Sequence, residues 1–440
     1  MKPLKPEATR LALALLSGPF DEAGLLQRCR PLIQGKIKWL DRIINRIVAR
    51  FGPDRPRRYD LVQFLLNDKG FRKAADAEDF GIDVGGETTL FVTGAILSPS
   101  TSLVRWNTTA DLRDWLGVDE GHFDWLADRK HLQQHANAER LQHYRYTWIR
   151  KRHGRCRLIE SPKQRVKEIQ QTLLRDVFEQ IPLHDAAHGF RKGRSVTTHA
   201  SPHVGKAVVL RMDLLDFFPS IAPARLSRML MLTGYAEEVA NVIAALCSNT
   251  TPAFVWKSFP HPEDRQQRRS TEQLFRRPHF PQGAPTSPAI ANLCAYRLDC
   301  RLAGLAKWAN AEYTRYADDL VFSGDDNFRR MISPFRLFVS VIAIEEGFAV
   351  NHRKTSVMTK SNRQLVTGLV LNEKLNVPRD EFDRLKATLH QCVLNGPLSQ
   401  NRESHHDFRS HLLGRIHYVG QNSDSRTEKL MRLFNRIVWT

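Results

Sequence analysis

The alternation of apolar and polar positions divides the chain into helical ends around a mixed middle. From Leu32 to Phe51, Ile33, Ile37, Leu40, Ile44 and Ile47 recur at helical spacing, while Lys36, Lys38, Arg42, Arg46 and Arg50 fill much of the other side. This predicts an amphipathic helix whose basic face is either solvated or turned to nucleic acid. Pro53 and Pro56 break it. Thr109 or Asp111 is placed to cap a helix carrying Leu112, Trp115 and Leu116 that ends at Gly117, and a further helix is expected from Glu120 to about Arg129. Residues 144–162, "YRYTWIRKRHGRCRLIESP", alternate, which predicts a basic hairpin turning at His153-Gly154. Strands and helices then alternate to about residue 380, and the stretch 252–280, rich in Pro, Arg and Gln, reads as a long exposed loop. Helical patterning returns in "DEFDRLKATLHQCVL", "FRSHLLGRIHYVG" and "TEKLMRLFNRIVW". The expected organisation is a helical N-terminal extension over 1–108, an α+β or α/β body over 109–380 and a helical end over 381–440.

Charge narrows the partners. The 440 residues carry 66 Lys and Arg against 47 Asp and Glu, a formal +19, and such a surface attracts polyanions. Nucleic acid is the first candidate and an anionic membrane surface the second. No stretch approaches the roughly 18–20 apolar residues of a spanning helix, so no membrane partner is expected. The opening "MKPLKPEATRLALALLSG" lacks the layout of a secretory signal and reads as a helix of the mature chain. The six cysteines form no Cys-x-x-Cys pair, which fits a reducing cytoplasm, and no His-Glu-x-x-His spacing occurs. Metal chemistry therefore falls to carboxylates.

Two segments supply them. In "EYTRYADDLVFSG", residues 312–324, apolar and aromatic residues flank Asp318 and Asp319 in a strand–turn–strand pattern with the aspartates at the tip. Adjacent carboxylates repel, a divalent cation relieves that repulsion, and oxygen ligands suit Mg²⁺; a solvated turn is the plain alternative. In "KAVVLRMDLLDFFPSI", residues 206–221, a buried-type strand delivers Asp213, with Asp216 close behind. Carboxylates that hold two metals about 3.5–4 Å apart activate an attacking hydroxyl and stabilise a leaving pyrophosphate. Two more segments complete the set. "HFPQGAPTSPAIANLC" gives a turn at Gln282-Gly283 ahead of a helix starting near Pro288, with Gly283 allowing close backbone approach to a flat substrate. "VNHRKTSVM" offers Lys354 as an acid for the leaving group, or as an ordinary solvated lysine.

Together and in this order, these segments resemble the finger and palm motifs of reverse transcriptases over about residues 109–440. The resemblance implies an α+β right-hand polymerase: fingers, a palm with an antiparallel sheet, a helical thumb, and here a mostly helical N-terminal extension. It implies catalytic, metal-holding aspartates at Asp213, Asp318 and Asp319, with two Mg²⁺ ions (Mn²⁺ able to substitute). It assigns the incoming dNTP to the backbone at Leu214 and Leu215, to Asp216, to the Phe217-Phe218 pair, to Gln282 and Gly283, to Arg157 and Lys163 at the fingertip, and to Lys354. Phe218 falls where the family places the ring that crowds a ribose 2′-OH, so DNA is the expected product. A guanidinium at position 157 suits bidentate phosphate contacts.

Two further elements resemble the bacterial retron polymerases. Their Asn-Ala-x-x-His element reads His199-Ala200-Ser201-Pro202-His203 here, with His in place of Asn, and their Val-Thr-Gly element is Val366-Thr367-Gly368. The family associates both with recognition of a cognate structured RNA. The resemblance thus implies a structured noncoding RNA and its cDNA as partners, priming from a guanosine 2′-OH, a branched RNA–DNA product, and a role in anti-phage defence beside an effector protein. A group II intron-type or other defence reverse transcriptase, and a non-catalytic RNA-binding scaffold for a toxin effector, are the alternatives.

Overall fold

The computed structural model describes residues 103–135, 139–150, 156–260 and 265–439 without a break, and ahead of them 4, 8, 11–12, 15–16, 21–30, 33–34, 37–52, 56, 58–76 and 81–82. The chain divides into two compact units, one of Met1–Ala127, Arg175–Pro182 and Leu226–Ala244, the other of Asp128–Leu174, Leu183–Arg225 and Ala245–Thr440.

The first unit is mostly helical. Leu40, Ile43, Ile44 and Ile47 of the helix Lys38–Phe51 are fully buried with Leu25, Leu61, Leu65 and Phe71. That helix is shorter than its sequence pattern. Ile33 belongs to β1 (Ile33–Gln34), paired with β2 (Gly81–Ile82), and Ile37 sits exposed at the N-cap. Its basic face is partly used within the protein: Arg46 meets Asp68 at 2.9 Å, and Asp68 also caps the helix Lys69–Ala75 by accepting from the Phe71 amide. Thr108, rather than Thr109 or Asp111, caps the helix Thr109–Trp115. Its hydroxyl accepts from the Asp111 amide while the Asp111 carboxylate accepts from the Thr108 amide, a reciprocal capping box. The next helix ends at Ala127, ahead of the expected Arg129.

The second unit holds two sheets of consequence. β3 (Tyr144–Arg150) and β4 (Cys156–Pro162) form the expected antiparallel hairpin, with Tyr144 opposite Pro162 and Arg150 opposite Cys156. Its turn at His153-Gly154 lies outside the described residues. The described residues of the stretch 252–280 do not form an exposed loop. A 3₁₀ turn, Ala253–Ser258, and a helix, Arg265–Phe275, bury Val255, Trp256, Phe259 and Phe275 against Leu158 of β4. Those four apolar side chains pay for order that the polar composition hides.

The second sheet is antiparallel and four-stranded, in the order β6 (Glu312–Tyr316), β7 (Asp319–Gly324), β5 (Val208–Asp213), β8 (Ser356–Thr359). The two central strands are the most apolar, and every residue of β7 is buried. A strand covered on both faces reads as a continuous apolar run, the pattern of "KAVVLRMD" and "DLVFSG". Behind this sheet, Val209 and Val321 share a core with Leu385, Leu389, Leu412, Ile416, Leu430 and Phe434 of the helices Arg379–Asn395, Phe408–Gly420 and Asp424–Phe434. The expected α+β class is the class observed. Among the described residues, no helix is long and apolar enough to cross a membrane.

Candidate active site

The site is built where β5 and β7 end together. Their register sets Asp213 directly opposite Asp319. The turn before β7 requires Ala317 at φ +57°, and it brings the Asp318 carbonyl to the Leu214 amide at 2.8 Å. The hairpin tip and the end of the central strand are thereby fixed to each other through backbone alone.

Side-chain charges then distribute in pairs. Asp213 accepts from Lys354 Nζ at 2.7 Å and from Asn351 Nδ2 at 3.2 Å. Asp319 accepts from Arg211 Nε through both oxygens at 2.8 Å. Burial, with the Asp213 charge adding to it, raises the pKa of Asp318, while Lys354 and Arg157 act against the rise. Burial pushes Asp319 up to about 6 despite the Arg211 contact. Arg157 of β4 is exposed and close enough for its charge to be felt at Asp318, so the hairpin and the acidic end belong to one electrostatic site.

The expected convergence of three carboxylates is not preassembled. Among the described residues no three His, Cys, Asp or Glu side chains gather closely enough to hold a metal ion. The physical reason lies in two ion pairs: Asp213 turns to the Lys354 ammonium and Asp319 to the Arg211 guanidinium, each an alternative to like-charge repulsion. The donor chemistry nonetheless fits a hard divalent ion, since every ligand atom on offer is a carboxylate oxygen and the raised Asp318 and Asp319 mark a charge cost that a cation removes.

The positions expected to meet a nucleotide fall into two groups. Asp216 is exposed at φ +46°, and Phe218 is half-buried with its ring 6.1 Å from that of Phe190. Gln282 and Gly283 form a turn lying on β4: the Gln282 carbonyl accepts from the Glu160 amide at 2.8 Å, and a Cβ added at Gly283 would sit 2.8 Å from the Glu160 carbonyl. Close packing thus requires glycine there, at φ +129°. The second group is engaged within the protein. The Leu214 amide is taken by Asp318 and the Leu215 amide donates to Ala349 at 2.7 Å, so neither backbone N–H is available to a triphosphate. Phe217 is buried against Phe348, and Lys163 Nζ donates to the Glu139 carbonyl.

The two retron-like elements are also partly internal. His199, Ala200 and His203 are fully buried. His203 is hydrogen-bonded to Ser323 of β7 at 2.6 Å and Thr314 of β6 at 2.7 Å, and His199 to Thr314 at 2.7 Å. These imidazoles brace the sheet edge and touch no solvent. Val366-Thr367-Gly368 is the tight turn joining β9 (Leu365–Val366) to β10 (Leu369–Val370), with Val366 buried and Thr367 and Gly368 at φ +44° and +85°. The left-handed pair matches the turn type that suits a two-residue hairpin.

Burial lowers His199 to about 2 and His203 to about 3. Both stay neutral in the folded protein while the unfolded chain takes up protons below about 6.5. Stability therefore falls as pH drops from 6.5 to 5, by roughly 2 kcal/mol for each histidine at about 1.4 kcal/mol per pH unit. Urea midpoints at pH 7 and pH 5 test this. His203→Gln is expected to shrink the difference.

Sequence reasoning passed over Arg315. It is wholly buried, holds Asp299 at 2.6 Å through Nη2, and donates from Nη1 to Asn292 at 2.9 Å and to the Ala317 carbonyl at 3.0 Å. Asn292 in turn donates to the Gly189 carbonyl, and a Cβ at Gly189 would sit 2.7 Å from the Ala317 amide. The aspartate turn is thus held from beneath by one buried cation. Arg211 and Asn351, the partners of Asp319 and Asp213, were likewise missed.

Comparison with known proteins agrees with this geometry. Residues 149–383 match the family described as reverse transcriptase (RNA-dependent DNA polymerase). The retron Mx65 reverse transcriptase of Myxococcus xanthus is 39% identical over 331 residues, which cover 74% of this chain and 71% of that protein. The retron Mx162 reverse transcriptase of the same organism is 35% identical over 306 residues, 66% of this chain and 60% of that one. The retron Ec86 reverse transcriptase of Escherichia coli is 30% identical over 237 residues, 54% and 65% respectively. A strand pair that ends in opposed aspartates, set in a chain with these relatives, identifies an RNA-directed DNA polymerase, and the chain belongs to the bacterial retron-type reverse transcriptases.

Proposed function

We propose that this polymerase copies its own structured noncoding RNA into single-stranded DNA and leaves an RNA-linked, branched product. The observation that carries the reading is the pairing of Asp213 with Asp319 at the shared end of β5 and β7, with Asp318 in the turn beside them. In this reading Asp213, Asp318 and Asp319 form the acidic centre. Two Mg²⁺ ions held there would lower the pKa of the attacking hydroxyl and stabilise the departing pyrophosphate.

The chain's own residues do the rest. Arg157 binds phosphate oxygens from the exposed face of β4. Lys354, already 2.7 Å from Asp213, is placed to neutralise charge on the leaving group or give it a proton. Asp216 and Phe218 face the nucleotide, with Phe218 excluding a ribose 2′-OH, while Gln282 and Gly283 seat the base pair. The Val366–Gly368 turn and the surface braced by His199 and His203 serve RNA recognition through shape, since the imidazoles are internal. Residues 109–380 act as fingers and palm, 381–440 as thumb, and 1–108 as an extension. The formal +19 suits a groove for phosphates, so binding weakens steeply with salt. A cytoplasmic setting fits six free cysteines, and defence against phage with an effector protein rests on the resemblance to retron polymerases.

Purifying the chain expressed with its flanking DNA, and digesting the copurified nucleic acid, tests the reading. A DNA strand that survives RNase, yet shortens by an RNA stub, is expected. DNA with no covalently attached RNA would contradict the branched product.

A further inference from the structure

Behind the fingertip strand lies a charged pair that the chemistry above does not use. Glu160 of β4 and His279 are both fully buried, 2.7 Å apart from Oε2 to Nε2. The other ring nitrogen of His279 lies 2.7 Å from the Arg277 carbonyl. The Arg277 carbonyl can only accept, so Nδ1 carries a proton; where Glu160 faces the ring as a carboxylate, Nε2 donates as well and the ring is an imidazolium. Its pKa agrees: burial lowers it, but the Glu160 charge and hydrogen bond more than reverse that and hold it above the ordinary value. Glu160 Oε1 accepts from Asn249 Nδ2 at 2.8 Å and from the Thr251 hydroxyl at 2.7 Å. Asn249 and His279 exchange backbone hydrogen bonds at 2.9 and 3.0 Å.

The pair stands between two halves of the nucleotide site. Side chains alternate along β4, so Glu160 faces inward with Leu158 while Arg157 faces out. The backbone of the same Glu160 carries the Gln282–Gly283 turn, and Ile159 closes against Gly283 from the other side. His279 lies three residues before Gln282 in the same segment. A buried ion pair contributes little net stability against an apolar replacement, but it fixes geometry strictly because breaking it strands a charge.

We propose that Glu160 and His279 are positioning residues that lock the Gln282–Gly283 turn onto the strand bearing Arg157, so that phosphate and base contacts to an incoming dNTP keep one spacing. This rests on the reading of Arg157, Gln282 and Gly283 as nucleotide contacts. Neither Glu160 nor His279 touches substrate. Loosening the lock costs binding of the nucleotide and leaves the carboxylate chemistry intact.

Steady-state primer extension on an RNA template, with dNTP varied, tests it. Glu160→Gln and His279→Gln are each expected to raise the dNTP KM by about tenfold or more, with kcat within about threefold and template–primer affinity unchanged. The double variant is expected to lose no more than either single, because the two act as a unit. Gly283→Ala, which drives a Cβ into the Glu160 carbonyl, is expected to give the same KM-weighted loss from a different position. Thermal melts choose an assay temperature at which every variant is folded. Arg157→Gln serves as the control for the underlying reading. If Arg157→Gln leaves dNTP KM unchanged, the nucleotide assignment itself is wrong. If Arg157→Gln raises KM while Glu160→Gln and His279→Gln do not, or if those two lower kcat and KM effects appear only in step with lost stability, the positioning role is overturned.

Discussion

Asp318→Asn is expected to reduce DNA synthesis by about three orders of magnitude or more, without unfolding the protein. The carboxamide keeps the size of the side chain and removes its charge. A metal-holding carboxylate contributes several kcal/mol to the transition state, and about 1.4 kcal/mol is a factor of ten in rate. Folding should not suffer, because burial and the nearby Asp213 charge already disfavour the ionised form of Asp318. A slightly higher melting temperature beside a dead polymerase is the expected combination. Single-nucleotide extension on an RNA template, with a denaturation curve on the same sample, reads both. Synthesis within tenfold of the parent would remove Asp318 from the acidic centre.

Arg315→Met is expected to cost about 3–5 kcal/mol of stability, because it leaves the Asp299 carboxylate buried without its cation. The same change releases the Ala317 carbonyl and the Asn292 side chain, and through them the Gly189 segment. The aspartate turn then loses its support, so synthesis falls further than the lost stability alone explains. Arg315→Lys retains charge but offers no planar fork to satisfy Asp299, Asn292 and Ala317 together, and it should recover only part of the loss. Urea denaturation of the three proteins orders them. Equal midpoints for Arg315→Met and the parent would show that the buried network holds nothing in place.

The sequence spoke most clearly where residue type and periodicity both carried meaning. The apolar runs ending in Asp213 and beginning at Asp319 marked the two central strands, and the alternation over 144–162 marked the hairpin that carries Arg157. It spoke poorly where a polar side chain works inside the fold. Arg315, Glu160 and His279 look like surface residues by type, and only the approach of distant segments makes them internal: Arg315 reaches Asp299 and Asn292, and Glu160 is 119 residues from His279. His199 and His203, which the resemblance ties to RNA recognition, are buried and hydrogen-bonded to the sheet, a placement their residue type does not announce. The stretch 252–280 misled through composition: its many charges hid four buried apolar side chains. The helix Lys38–Phe51 misled through periodicity, which continues upstream through Ile37 and Ile33 although the helix does not. The division of Asp213 and Asp319 between separate ion pairs was beyond any reading of spacing, because it depends on Lys354 and Arg211 being within reach.

Metal binding must compete with the Lys354–Asp213 and Arg211–Asp319 pairs, and that competition can be seen directly. Crystals of the polymerase with an RNA template, a DNA primer and a non-hydrolysable dNTP, soaked in Mn²⁺, give anomalous peaks wherever the ion binds. Density is expected in contact with the carboxylate oxygens of Asp213 and Asp318, with Lys354 Nζ displaced from Asp213. Manganese elsewhere, with the Lys354–Asp213 contact intact beside a bound dNTP, would contradict it.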